Sequence, residues 1–137
     1  MVSRNLEASH NSMKDVFVHI LTVYDGWLNH TRVGETAGVP ESELDESHFQ
    51  SMDDIKRYMV HVETGVDKLM EELNDALLSS PIKVDWWEKD HTLSDALMQV
   101  TLEEAHHVGE LIALLWRQDI EPPEMTWIGV NEAQAAH

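Results

Sequence analysis

The chain has 137 residues and a formal charge of −17, from nine Lys and Arg against 26 Asp and Glu. That length fits one compact domain spanning residues 1–137, and 42% apolar with 26% charged residues is a globular balance, not a disordered one. So acidic a surface argues against nucleic acid and anionic membranes as partners, and the lack of cysteine removes disulfides, thiolate metal sites and a Cys nucleophile.

Three amphipathic helices are predicted, so the fold class is all-α. The first covers about 12–33, where Val16, Ile20, Val23 and Trp27 recur at steps of four, three and four on one helical face. Ser12 or Asn11 caps its start, and two glycines and Pro40 punctuate the polar connection that follows over 34–48. The second covers about 51–79, from Met52 through Ile55, Met59, Val62, Val66, Leu69 and Leu73 to Leu77, with Ser51 as cap. Gly65 interrupts this pattern at a cost of about 1 kcal/mol, which calls for a packing reason or a bend.

The run Ile82 to Trp87 is compatible with an extended segment but reads first as a loop laying Trp86 and Trp87 over one end of the bundle. The third helix covers about 92–118, starting near Thr92 or Ser94, with Leu93, Leu97, Val100, Leu111, Leu114 and Leu115 on its buried face. Residues 119–137 form a tail whose Met125, Trp127 and Ile128 could pack on the bundle. No alternating strand pattern occurs. No apolar stretch approaches the ~20 residues that span a bilayer. Residues Met1 to Glu7 lack a signal-peptide core, so the location expected is cytoplasmic.

Nine histidines are scattered along the chain, and two fall on faces meant for the core. His19 lies between Val16 and Val23, and His107 between Val100 and Leu111. Glu103 sits one turn before His107 on the same side, and a buried carboxylate must be paired, protonated or metal-bound. His19, Glu103 and His107 together would make a two-His-one-carboxylate set, suited to a divalent first-row metal with open positions. Each inward His is also compatible with a hydrogen-bonded core role and no metal. Glu104 competes with Glu103, because the helical wheel puts it nearer the centre of the apolar face. Its spacing to His107 matches the E-x-x-H of di-iron carboxylate bundles, with Glu63 as a further carboxylate. His30 is about 16 Å along the helix from His19 and cannot join this site. His48, His61 and His106 read as exposed. Five tryptophans read as core or lid before pocket lining.

The stretch Glu103-Glu104-Ala105-His106-His107-Val108-Gly109-Glu110-Leu111, continuing through Trp116-Arg117 to Pro122-Pro123, resembles the last helix of the DinB/YfiT-like superfamily. That family reads H-x-x-x-H-R-G-[QE]-[LI] there. Val16 to Leu21, then Tyr24-Asp25-Gly26-Trp27-Leu28, resembles the family's L-x-H-I-x-x-x-E-x-x-W-L helix. The likeness covers about residues 12–123. His19 matches the family's first metal-binding His and His107 its last; the middle His falls on Glu103, and Val108 replaces the common Arg. The resemblance implies a four-helix bundle, often dimeric, and a further N-terminal helix for which this chain has about eleven residues. A homodimer is therefore expected, its contact covering the faces that helix would have filled. The resemblance also implies a divalent ion (Zn, Ni, Mn or Fe) and a small-molecule substrate. It points to thiol transfer with a low-molecular-weight thiol cosubstrate, or to hydrolysis. A non-catalytic helical binding module and a di-iron oxidase are the alternatives.

Overall fold

The computed structural model describes residues 12–32, 34, 49–85 and 88–124. Helix α1 (Met13–Tyr24) starts at Ser12, whose hydroxyl accepts from the Asp15 amide at 3.2 Å. It continues through a π-helical turn, Asp25–Asn29, into the single turn α2 (His30–Arg32). The expected first helix is thus present, with one widened turn that periodicity did not announce.

Helix α3 (Met52–Glu72) opens with a complete capping box. The Asp54 amide donates to the Ser51 hydroxyl at 3.2 Å and the Ser51 amide to Asp54 Oδ2 at 3.0 Å. The expectation of one helix reaching residue 79 needs correction. Leu73 turns extended (φ −65°, ψ 129°), and Asn74 caps a fresh turn, α4 (Asp75–Leu78), by accepting from the Leu77 amide at 2.8 Å. Leu69, Leu73 and Leu77 keep an apolar rhythm across the break, which hides it from the sequence.

A second correction is a small antiparallel ribbon, β1 (Pro81–Ile82) with β2 (His91–Thr92), pairing Pro81 with Thr92 and Ile82 with His91. Two-residue strands are too short to show an alternating pattern. Trp86 and Trp87, and the tail residues Met125, Trp127 and Ile128, lie outside the described residues. Helix α5 (Leu93–Trp116) begins with a Thr92–Asp95 capping box and ends before Asp119, whose φ of 56° stops the helical path.

The architecture is all-α, with α5 and α3 packed on the α1–α2 rod. The larger core cluster joins Val23, Trp27, Leu28, Leu69, Leu93, Ala96 and Val100. Val18, Leu21, Phe49 and Ile55 form a smaller one nearer the start of α3. Leu69 is fully buried, so Leu69→Ala should cost about 2–5 kcal/mol.

Gly65 has the packing reason its position called for. A Cβ there would fall within 2.7 Å of the Asn29 side-chain amide, atoms Oδ1, Cγ and Nδ2 alike. The bare glycine lets Asn29 donate to the Val62 carbonyl (3.2 Å) and to Asp25 Oδ1 (3.0 Å). Asp25 is itself buried and accepts from the Tyr58 hydroxyl at 2.9 Å, which satisfies a charge that would otherwise be costly there.

The water-facing side of α5 is unusual for so acidic a chain. Met98, Leu102 and Trp116 are more than half exposed on it, beside exposed Ala105, Gly109 and Ala113. The three carboxylates between Met98 and Trp116 all point elsewhere. Glu103 and Glu110 contact His107, and Glu104 lines a cleft. Among the described residues, no helix is long and apolar enough to cross a membrane.

Candidate metal centre

Helix α1 carries His19 and α5 carries Glu103 and His107 across the seam where these two helices pack. Their side chains are 13%, 33% and 7% exposed, sheltered yet open on the carboxylate side. Glu103 Oε2 lies 3.2 Å from His107 Nε2 and 3.8 Å from His19 Nε2. The two imidazoles meet edge to face with centroids 4.5 Å apart.

Supporting groups fix these orientations. Gln99 donates to Glu103 Oε1 at 3.0 Å, which leaves Oε2 for the two rings. Glu110 Oε1 stands 3.5 Å from His107 Nδ1, on the far side of the ring from Glu103. With an ion bound between the rings and Glu103, a carboxylate at Nδ1 would hold a proton there and leave the Nε2 lone pair for the metal.

The donor set suits one divalent ion. With bonds of ~2.0–2.2 Å, ligand atoms around an ion sit roughly 3–3.6 Å apart. Here one donor atom from each of the three residues lies within 4.8 Å of the others, so small side-chain adjustments would close the set. Two imidazoles and one carboxylate leave coordination positions free for water or substrate.

A family model of the DinB superfamily matches residues 6–111. The chain belongs to the DinB superfamily. A search of curated proteins gave no match.

In this DinB-superfamily chain, the three residues singled out by sequence are brought together, and Glu103 rather than Glu104 completes the set. Glu104 faces the cleft and accepts a hydrogen bond from the Tyr24 hydroxyl. Burial and the Glu104 carboxylate hold that hydroxyl protonated well above the usual tyrosine range. Glu63 also borders this cleft and is exposed. Neither carboxylate joins the metal-competent group, so the described residues do not supply the second carboxylate shell of a di-iron site. His61 and His106 are exposed as expected, and His48 lies outside the described residues.

The cleft has a volume of about 530 Å³ and is lined by Phe17, Tyr24, Met59, Val66, Val108 and Ile112 among others. None of the three metal-competent residues lines it, and no described tryptophan does; Trp27 is core and Trp116 exposed. Sequence reasoning missed Gln99 and Glu110. The signals were present: each lies one helical turn from the group it touches, at i−4 from Glu103 and i+3 from His107.

Proposed function

We propose that this protein is a metal-dependent enzyme of the DinB superfamily acting on a small molecule, with thiol transfer the first choice and hydrolysis the second. The observation that carries the reading is the convergence of His19, Glu103 and His107 within 4.8 Å. These residues would hold a divalent first-row ion, Zn, Ni, Mn or Fe. Such an ion, when bound, supplies a thiolate or a hydroxide at neutral pH by lowering the pKa of its thiol or water ligand.

The chain's own residues set the conditions for that chemistry. Gln99 and Glu110 fix the carboxylate and the ring from behind, so little reorganisation is needed at the site. Burial of His107 and His19 against the α1–α5 seam keeps water from one side. The partial exposure of Glu103 leaves an approach for substrate from the other.

The test is metal analysis of untagged protein, with His19→Ala and His107→Ala alongside. A panel of low-molecular-weight thiols with a chromogenic electrophile is then assayed with and without each metal. One equivalent of metal per chain, lost in both variants, together with metal-dependent turnover, is the expected result. Unchanged metal content in both variants would reject the site. Metal binding without thiol- or water-dependent turnover would leave a binding module, and two equivalents of iron would point to a di-iron oxidase.

A further inference from the structure

Cationic side chains are scarce here, nine Lys and Arg in 137 residues, yet two of them line one cleft away from the metal-competent group. Arg32, the last residue of α2, and Lys68 of α3 line a second cleft of about 380 Å³ with His30, His61, Asn29 and Asp25. Among the described residues, neither Arg32 nor Lys68 lies within ion-pair distance of a carboxylate.

One buried donor sharpens the point. Arg32 Nε is enclosed and has no hydrogen-bond partner among the described residues. Native structures rarely leave such groups unmatched, and a guanidinium N–H is a strong donor fitted to oxyanions. Among the described residues Asp25 is the one carboxylate lining the cleft, and its oxygens already accept from Asn29 and Tyr58, with His30 Nε2 at 3.9 Å. Those bonds partly offset its charge. The Thr64 hydroxyl donates to the Val60 carbonyl at 2.7 Å and adds no free donor.

We propose that this cleft binds a small oxyanion of the phosphate class, held by the Arg32 fork and the Lys68 ammonium with His30 and His61 beside them. Two permanent cations match a dianion better than a single carboxylate. The volume exceeds that of inorganic phosphate and leaves room for the organic part of a monoester. His30 begins α2 directly after the π-helical turn, a local irregularity that often accompanies binding sites. The site is about 16 Å along the helix from His19, so it stands or falls independently of the metal.

The experiment is calorimetric titration and thermal unfolding of the full chain with inorganic phosphate, at constant ionic strength balanced with chloride. Any salt screens a chain of −17, so only the excess over chloride counts. Phosphate should raise the melting temperature above the chloride control. Arg32→Gln and Lys68→Gln should each weaken binding roughly tenfold, the usual effect of deleting one charged hydrogen-bond donor. Lys56→Gln, on the same helix but outside the cleft, should bind as the parent does. Phenyl phosphate should compete for the same site. Lys68 is exposed, so its variant reports on binding even if Arg32→Gln folds poorly. Phosphate indistinguishable from chloride, acetate binding as tightly as phosphate, or parent-like affinity in Lys68→Gln would overturn the proposal.

Discussion

Gly65→Ala sets two effects of opposite sign against each other, and the structure decides between them. Helix propensity alone predicts stabilisation by about 1 kcal/mol, because alanine is the better helix former in the interior of α3. Packing predicts the reverse. The added methyl would fall within 2.7 Å of the Asn29 amide, which must then move. Moving it gives up the bonds to Val62 O and Asp25 Oδ1, each contributing about 1 kcal/mol. Residual crowding adds on the order of 1 kcal/mol or more. The net is a destabilisation of about 1–3 kcal/mol, read in urea as a lower midpoint at unchanged slope. Gly109→Ala is the internal control, since a Cβ there meets no atom within 4 Å and should stabilise. Asn29→Ala combined with Gly65→Ala should cost less than the sum of the singles, because the clash vanishes with the amide. If Gly65→Ala stabilised the protein as Gly109→Ala does, the close approach of α3 to the π-helical turn would be wrong.

Other outcomes follow from the same contacts. Gln99→Ala and Glu110→Gln should each weaken metal binding about 10–100-fold in chelator competition while leaving helix content unchanged; parent-like affinity in both would deny them an orienting role. Asp95 and Asp54 are held below the usual carboxylate range, the first chiefly by the Thr92 amide and the second chiefly by the Ser51 hydroxyl. A depressed folded-state pKa gives stability that is present above the unfolded value of about 3.9 and lost as pH falls through the folded one. The Asp54→Asn and Asp95→Asn double variant should therefore show a flatter acid-unfolding profile below about pH 4, and an unaltered profile would refute the assignment. If copies pair through the uncharged outer face of α5, sedimentation equilibrium should show the 15.7 kDa chain approaching twice that mass with concentration. Gly109→Arg should hold it at one copy; a monomer throughout the parent's range would exclude the pairing.

Much of this was legible in sequence because burial and period coincide along α1, α3 and α5. The cap Ser51 was readable for the same local reason, and Ser12 and Thr92 each stood as one of two candidates, beside Asn11 and Ser94. His19 and His107 stood out as titratable groups on apolar faces. The choice between Glu103 and Glu104 was not legible, because the apolar arc of α5 serves two surfaces. One part meets His19 of α1 and holds Glu103; the other borders the cleft, where Tyr24 of α1 donates to Glu104. A wheel locates the centre of such an arc but not its division. The break at Leu73 was hidden by the leucines that continue across it. The cluster of Arg32, Lys68 and His61 depends on helices distant in sequence, which no single-helix pattern reveals.

The π-helical turn has a consequence for how this helix is matched to others. A π turn holds roughly one residue more than the 3.6 of an α-helical turn, so residues 25–29 carry one residue beyond the regular period. Everything after it is rotated by about 100° from where an uninterrupted helix would put it. Upstream, that phase aims His19 at α5; downstream, it turns His30 and Arg32 to the second cleft. One rod therefore presents two faces whose directions are set separately, and loss of a single residue within the turn would re-aim the second face while sparing the first. A helix of regular pitch aligned to this one without a gap at 25–29 would pair every later position with the wrong neighbour.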